Sequence, residues 1–306
     1  MRGAFSSALI RLARHDPNVL LLTGDHGYAL FDDFRSACPA QYINAGIAEQ
    51  NMVGMAAGLA RTGFRPFVYG LSAFVPLRVL EQIKLDVAHD LLPVVFIGDG
   101  AGFVYSHLGT SHQATEDIAC ARVIPDLAVY SPADRFEIDA CMQLAYDTAG
   151  PVYLRMGKSD RGDVHTAPQG EAVRSPLCVR PGASRDLAFV ATGSLVRSAV
   201  DIASTHFPQA SVWSVPLIKP IDSRAVAQLC GNTRVIVAME EHSVFGGLGS
   251  VITEIAAAHS PTRVLRLGVQ DRFSDLCGTY EYLLKEHGLD QASLLRQINH
   301  FLSPGT

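Results

Sequence analysis

Short apolar runs alternate with helix-like segments along most of the chain, and this alternation constrains the fold more than any other feature. In the first half, runs typical of buried strands lie at 19–22, 42–43, 65–69, 91–97, 125–130 and 151–155. Between several of them, apolar residues recur at helical spacing, as in 48–59, 74–89 and 134–148. Alternating strands and helices form a parallel sheet with helices on both faces. The sequence therefore predicts an α/β fold of doubly wound, mainly parallel sheets.

A change in composition after residue 155 divides the chain into two parts. Residues 156–185 contain several prolines, a polar Lys-Ser-Asp-Arg-Gly-Asp run and few long apolar stretches. Apolar runs separated by helical patterns then resume at 186–191, 210–215, 234–238 and 263–267. A chain of 306 residues is long enough to bury two hydrophobic cores. We therefore expect a first domain at 1–158, a linker at 159–185 and a second, smaller α/β domain at 186–306.

Charge and hydropathy exclude several classes of partner. The net charge is −5 and the pI is near 6.1, so nothing electrostatic favours binding to nucleic acid or to an anionic membrane. No apolar run in the sequence approaches the roughly 20 residues that span a bilayer. The six cysteines form no CxxC or Cys/His metal spacing. We therefore expect reduced thiols, a cytoplasmic protein and no metal site on this chain.

The N-terminal residues allow two interpretations. The segment MRGAFSSALIRLARHDPN is amphipathic and carries arginine and serine, which are features of a transit peptide. Its apolar stripe (Ala4, Ala8, Leu9, Leu12) ends at Asp16-Pro17, directly before a predicted strand. We therefore favour a first helix that belongs to the fold.

The stretch Tyr42–Arg61, YINAGIAEQNMVGMAAGLAR, carries the clearest functional signal. A short β-type run turns at Asn44-Ala45-Gly46 and leads into a helix of small residues. Glu49 falls in the first turn of this helix, just after a strand end. A glutamate there complements the helix dipole, for a gain of about 0.3–1 kcal/mol. The alternative is that a carboxylate flanked by apolar residues is placed to hold a ligand's proton.

The segment GIAEQNMVGMAAGLA, followed by a Gly-Phe-Arg-Pro turn, resembles the pyrimidine-binding domain of thiamine-diphosphate enzymes of the transketolase group. By motif the similarity includes deoxyxylulose-phosphate synthases and the β subunits of 2-oxo acid dehydrogenases, and it runs from about Val19 to about Leu267. The resemblance implies a pyrimidine-binding domain followed by a transketolase C-terminal domain. It also implies that Glu49 hydrogen-bonds a ring nitrogen of the cofactor's aminopyrimidine.

The resemblance assigns roles to further residues. Phe74 matches the aromatic residue that packs on the aminopyrimidine, and Asp25, at another strand end, is grouped with the cofactor-binding residues. His112 matches a histidine that contacts substrate oxygens and assists proton transfer, and His107 is a second titratable group beside it. Arg155 matches an arginine that binds a substrate phosphate, with a structural salt bridge as the alternative.

Four positions depart from the family pattern. Leu71 and Leu77 stand where long transketolases carry aromatic residues. Leu108 stands in place of an aspartate that reads a substrate hydroxyl, and Gly100 in place of a phosphate-binding histidine. Because these positions surround the sugar in the family, the departures leave the donor and acceptor sugars undefined.

The run Gly98-Asp99-Gly100 looks like the start of the metal-diphosphate motif of thiamine enzymes, which needs an asparagine further along. The next asparagine is Asn232, too distant to complete the motif. We therefore expect a separate N-terminal-section transketolase subunit to supply the diphosphate site and its Mg²⁺. The two chains would share thiamine diphosphate in an α2β2 assembly.

These features favour the small subunit of a split transketolase, which moves a two-carbon ketol unit between ketose and aldose sugars or sugar phosphates. One alternative is the β subunit of a 2-oxo acid decarboxylase or dehydrogenase. Another is a non-catalytic assembly subunit, which would need neither Glu49, Phe74 nor His112. The Gly-rich turn at 240–250 precedes a helix and could bind phosphate there, but we favour close packing.

Overall fold

Two mainly parallel sheets covered by helices make up the computed structural model, which describes residues 1–27, 29–158 and 160–303. This architecture confirms the predicted α/β class. Residue 159, where the predicted linker begins, and residues 304–306, at the end of the predicted second domain, lie outside the described residues.

The helices in chain order are α1 (Arg2–His15), α2 (Asp32–Ala37), α3 (Glu49–Arg61), α4 (Leu80–Gln82), α5 (Asp117–Arg122), α6 (Arg135–Asp147), α7 (Leu195–His206), α8 (Ser223–Gly231), α9 (Leu248–His259), α10 (Tyr280–Glu286) and α11 (Gln291–Leu302). The strands are β1 (Val19–Thr23), β2 (Tyr42–Asn44), β3 (Arg65–Leu71), β4 (Val95–Asp99), β5 (Ala128–Tyr130), β6 (Val152–Met156), β7 (Leu177–Arg180), β8 (Leu187–Ala191), β9 (Ser211–Ser214), β10 (Leu217–Lys219), β11 (Val235–Ser243) and β12 (Arg263–Val269).

The first sheet has the strand order β10-β5-β6-β4-β3-β1-β2, and every neighbouring pair except β10 and β5 is parallel. All five residues of β1, of β4 and of β6 are buried, because helices cover both faces of the sheet. This double burial explains why these strands read as continuous apolar runs rather than as alternating patterns.

The second sheet has the order β12-β11-β8-β9-β7, with β7 antiparallel at its edge. Two strands lie outside the places that the predicted domain division gives them. Strand β7 lies in the stretch expected to be a linker, and β10, from the second half of the chain, joins the first sheet beside β5. The two halves are therefore connected by strand pairing as well as by packing.

The predicted helix over 74–89 is wrong in its start and its regularity. A 3-10 turn at Leu77–Val79 leads into α4 and then into a π-helical segment, Ile83–Ala88. Pro76 explains the late start, because proline offers no amide hydrogen and its ring disfavours helical backbone in the preceding residue. The interruption leaves Phe74 and Arg78 near the end of β3 instead of along one regular helix.

Candidate functional site

Four neighbouring strands of the first sheet, β2, β1, β3 and β4, end at the same edge. Each is followed by a residue singled out in the sequence: Glu49 after β2, Asp25 after β1, Phe74 after β3 and His112 in the loop after β4. Ligands of parallel sheets bind beyond the carboxyl ends of the strands. The topology therefore gathers these segments where a ligand site is expected.

Glu49 is the first residue of α3, and its side chain is only 5% exposed. Its Oε2 atom accepts a hydrogen bond from Nη1 of Arg78 at 3.0 Å. No side-chain hydrogen bond caps this helix. Glu49 is the acidic residue in its first turn, where a negative charge complements the helix dipole. A buried carboxylate with a cationic partner is thus held beside the carboxyl ends of these strands.

Arg78 also lies over the ring of Phe74, with the central guanidinium carbon 4.0 Å from the ring centroid. A guanidinium at this distance is a favourable cation–π partner. Our sequence interpretation did not include Arg78 among the site residues. The signal that was available is its spacing of four residues from Phe74, which brings two side chains together on any helical turn.

His112 also contacts Phe74. The two rings make an edge-on contact, with centroids 5.3 Å apart and an interplanar angle of 67°. The Nδ1 atom of His112 lies 2.9 Å from the hydroxyl of Ser111, and the ring is partly buried. Glu49, Arg78, Phe74 and His112 therefore form one continuous set of contacts, which we call the Phe74 cluster.

Asp25 and His107 lie outside the Phe74 cluster. Asp25 is exposed at the end of β1, and its backbone and carboxylate exchange two hydrogen bonds with the side chain of Asn44, each 3.2 Å long. His107 is exposed in the loop after β4. In the described part of the chain, no hydrogen bond or ring contact joins His107 to Phe74 or His112.

Arg155, which was predicted to contact a substrate phosphate, lies in the interior, where protein groups bind its guanidinium. Its side chain is 2% exposed, and its Nε donates to Oδ2 of the fully buried Asp117 at 2.8 Å. Its Nη2 donates to the carbonyl oxygens of Ala114 at 3.2 Å and Glu241 at 2.8 Å. The structural salt bridge, which the sequence left open as the alternative, accounts for this arginine.

Asp99 is also a structural carboxylate. It is 2% exposed and accepts hydrogen bonds from Arg2 at 2.6 Å, Tyr69 at 2.8 Å and Tyr105 at 3.0 Å. Burial and then the charge of Asp99 raise the pKa of Tyr105 to about 12, so its hydroxyl stays protonated and donates. With three donors around it, the Asp99 carboxylate is occupied by protein groups.

The Gly-rich turn of the second domain is a packing feature, as expected. The carboxylate of Glu240 accepts hydrogen bonds from the backbone N–H groups of Leu248, at 2.7 Å, and Gly249, at 2.9 Å. These are the first amides of α9, the groups that would otherwise bind a phosphate. The position of an anion at this helix is therefore taken by the protein itself.

Across residues 1–27, 29–158 and 160–303, no three His, Cys, Asp or Glu side chains are grouped so that they could hold a metal ion. In those same ranges, no helix has the length and apolar character needed to cross a membrane. The six cysteines are all free thiols.

Comparisons with known proteins match both halves of the chain to one family. Residues 1–162 match the family model "Transketolase, pyrimidine binding domain", and residues 178–294 match "Transketolase, C-terminal domain". The fold defined above and these matches place the protein among thiamine-diphosphate enzymes of the transketolase type.

The relatives sharpen this placement. The chain is 32% identical over 305 residues to an apulose-4-phosphate transketolase subunit of Phocaeicola vulgatus, covering 98% of this chain and 97% of that protein. It is 32% identical over 302 residues to the 6-deoxy-6-sulfo-D-fructose transketolase subunit SqwH of a Clostridium species, covering 97% and 92%. A solved structure described as a split gene transketolase, inactive beta4 tetramer, superposes with a TM-score of 0.89 at 32% identity, covering 98% and 97%.

The chain belongs to the transketolase family, and it is a counterpart of the separate small subunits of that family. The predicted resemblance, the fold class and the assignment to a transketolase small subunit are thereby confirmed. Thiamine diphosphate is the cofactor that this family implies.

Proposed function

We propose that this chain joins a separate partner chain, which supplies the diphosphate and Mg²⁺ site, to form an active transketolase of α2β2 composition. The enzyme carries a two-carbon ketol unit from a ketose to an aldose. Thiamine diphosphate, when bound, supplies the nucleophilic carbon that takes up this unit. The residues of this chain bind and orient the aminopyrimidine end of the cofactor.

The observation that carries the proposal is the position of Arg78. Its planar guanidinium lies on Phe74 and directs an N–H group at the buried carboxylate of Glu49. An aminopyrimidine is also planar, and its protonated ring nitrogen can donate a hydrogen bond to a carboxylate. A site that holds a guanidinium in this way has the stacking face and the acceptor that the pyrimidine requires. Phe74 would stack on the ring, and Glu49 would hold the ring-nitrogen proton.

His112 is the group we propose to meet the substrate. Its Nδ1 is engaged with Ser111, so Nε2 is the ring nitrogen available to a substrate oxygen. We further propose that Asp25 borders the cofactor at the end of β1 and that the exposed His107 faces the substrate entrance. Arg155 is not part of this site, because its guanidinium is buried against Asp117.

The names of two relatives support a proposal for the class of substrate. One relative acts on apulose 4-phosphate and the other on 6-deoxy-6-sulfo-D-fructose, and both names describe sugars with an anionic group. We propose a phosphorylated or sulfonated sugar as the substrate of this chain, with the sugar itself to be found by screening.

The first test is cofactor binding. Thiamine diphosphate and Mg²⁺ are titrated into the isolated chain and then into its mixture with the protein encoded beside it. We expect tight binding only in the mixture, and ketol transfer rather than release of CO₂ from a 2-oxo acid. Mg²⁺-dependent binding by the isolated chain would contradict the division of the site between two chains.

The second test is Glu49→Gln in the assembled complex, because an amide cannot accept and return the ring-nitrogen proton as a carboxylate does. We expect turnover to be lost while the helix content and the subunit assembly stay unchanged. The matched control is Glu81→Gln, which changes an exposed glutamate in α4 and should keep full activity. Near-normal turnover in Glu49→Gln would remove the central claim.

A further inference from the structure

The loop that carries His112 is closed at its base by a pair of backbone hydrogen bonds. The N–H of Gly102 donates to the carbonyl of Ala114 at 2.9 Å, and the N–H of Ala114 donates to the carbonyl of Gly102 at 3.0 Å. Residues 103–113 lie between these two positions. Phe103 and Gln113 are thus the first and last residues of the loop, and any group that fixes both of them fixes the loop.

Both of these residues contact the second domain, Phe103 at His287 and Gln113 at Ser274. The ring of Phe103 is stacked on the ring of His287, with centroids 4.8 Å apart and an interplanar angle of 21°. At the other end of the loop, Oε1 of Gln113 lies 2.9 Å from the hydroxyl of Ser274, which in turn lies 2.9 Å from Nε2 of His287. His287 therefore touches one end of the loop directly and the other through Ser274.

The direction of this hydrogen-bonded chain is determined by its chemistry. The amide oxygen of Gln113 can only accept, so the single hydroxyl proton of Ser274 is donated to it. Nε2 of His287 must then carry a proton and donate to Ser274. Gln113 and His287 are each 7% exposed, so little water reaches these hydrogen bonds to replace one that is lost. Burial and then the charge of Arg272 lower the pKa of His287, which keeps the ring neutral.

The segment that carries Ser274 is itself held by the second domain. Glu286, near the end of α10, accepts a hydrogen bond from Arg272 at 3.2 Å and one from the backbone N–H of Asp275 at 2.7 Å. Ser274 lies between these two anchored residues. The support of the loop is therefore a fixed part of the second domain.

We infer that Ser274 and His287 are positioning residues for His112, so that the second domain takes part in catalysis by fixing both ends of the His112 loop. Neither residue touches the Phe74 cluster among the described contacts. Their effect on the reaction passes through the backbone from Gln113 to its neighbour His112. The inference rests on the proposed function in one respect, which is that His112 meets the substrate.

The test compares Ser274→Val with Ser274→Thr in the assembled complex, since valine and threonine have nearly the same shape and only threonine keeps the hydroxyl. We expect the valine variant to lose about tenfold in kcat, the size of effect that one buried hydrogen bond can supply, and the threonine variant to keep most of it. Thiamine-diphosphate affinity should be unchanged in both, because the Phe74 cluster is not altered. His287→Phe, which keeps a ring to stack on Phe103, should resemble Ser274→Val.

A matched control is Ser293→Val on α11, whose hydroxyl accepts from Arg296 and which we expect to be neutral. Wild-type kcat in Ser274→Val would overturn the inference, as would equal losses in the valine and threonine variants. A parallel loss of kcat, cofactor affinity and subunit assembly would overturn it too, because that pattern marks general unfolding. Failure of the proposed function is seen separately, as a wild-type complex that performs no ketol transfer.

Discussion

Replacement of Arg78 by methionine is the perturbation that most directly examines the Phe74 cluster. Arg78 lies on the face of Phe74 and against the Glu49 carboxylate, where the aminopyrimidine is proposed to bind. Two groups cannot occupy one place, so cofactor binding requires that the guanidinium leave. Methionine keeps much of the length of the side chain and removes the charge and the planar donor group.

The size of the effect follows from what Arg78 must give up. Its side chain is 45% exposed, so its ion pair with Glu49 belongs with solvent-screened pairs, which contribute about 0.2–1 kcal/mol. A cation–π contact at an exposed site adds about 0.5–1 kcal/mol. Breaking both contacts costs about 0.7–2 kcal/mol. A factor of ten in affinity corresponds to about 1.4 kcal/mol, which lies within this range. We therefore expect Arg78→Met to bind thiamine diphosphate about tenfold more tightly than the wild type.

The assay is calorimetric titration of the assembled complex with thiamine diphosphate at saturating Mg²⁺. Arg78→Lys is the control, because it keeps the charge but loses the planar group that stacks on Phe74, and we expect an intermediate affinity. Higher salt should narrow the difference between wild type and Arg78→Met, since it screens the half-exposed pair. Unchanged or weaker binding by Arg78→Met would refute the reasoning, and weaker binding would mean that Arg78 contacts the loaded cofactor.

Two further predictions concern the framework around the site. Arg155→Met leaves the buried Asp117 without its cationic partner, so the free energy of unfolding in urea should fall by about 3–5 kcal/mol, and a changed KM for the sugar with unchanged stability would instead restore a substrate role. Burial opposes protonation of His165, but its hydrogen bond to Glu137 and the charge of that carboxylate outweigh it and raise the pKa of His165. The stabilisation from this pair is therefore complete below about pH 6.5 and is lost as the pH rises through the raised pKa. The free energy of unfolding of the wild type should therefore fall between pH 6 and pH 8, and it should fall less in His165→Gln. An equally large fall in the variant would contradict the assignment.

The part of the fold that could be predicted is the part set by local spacing. Strand β1 and helix α3 were found within a residue or two, because a buried parallel strand needs an apolar run and a covering helix needs one apolar face. The helix over 74–89 was wrong because its apolar spacing continues through Pro76, whereas the backbone does not. Edge strands β7 and β10 are only four and three residues long, too short for a pattern to mark them.

The residues of the candidate site were likewise predictable only in part. The sequence alone determined that Glu49 begins a helix after a strand, and it supplied Phe74 and His112 as candidates from their motifs. Only the tertiary structure brought Arg78 onto Phe74 and buried Arg155 against Asp117, 38 residues away in the chain. Likewise, only the fold placed Ser274 beside Gln113, across 161 residues. Periodicity records which face of an element is buried, but it holds no information on which distant side chain will meet it, and that choice is made when the two domains pack.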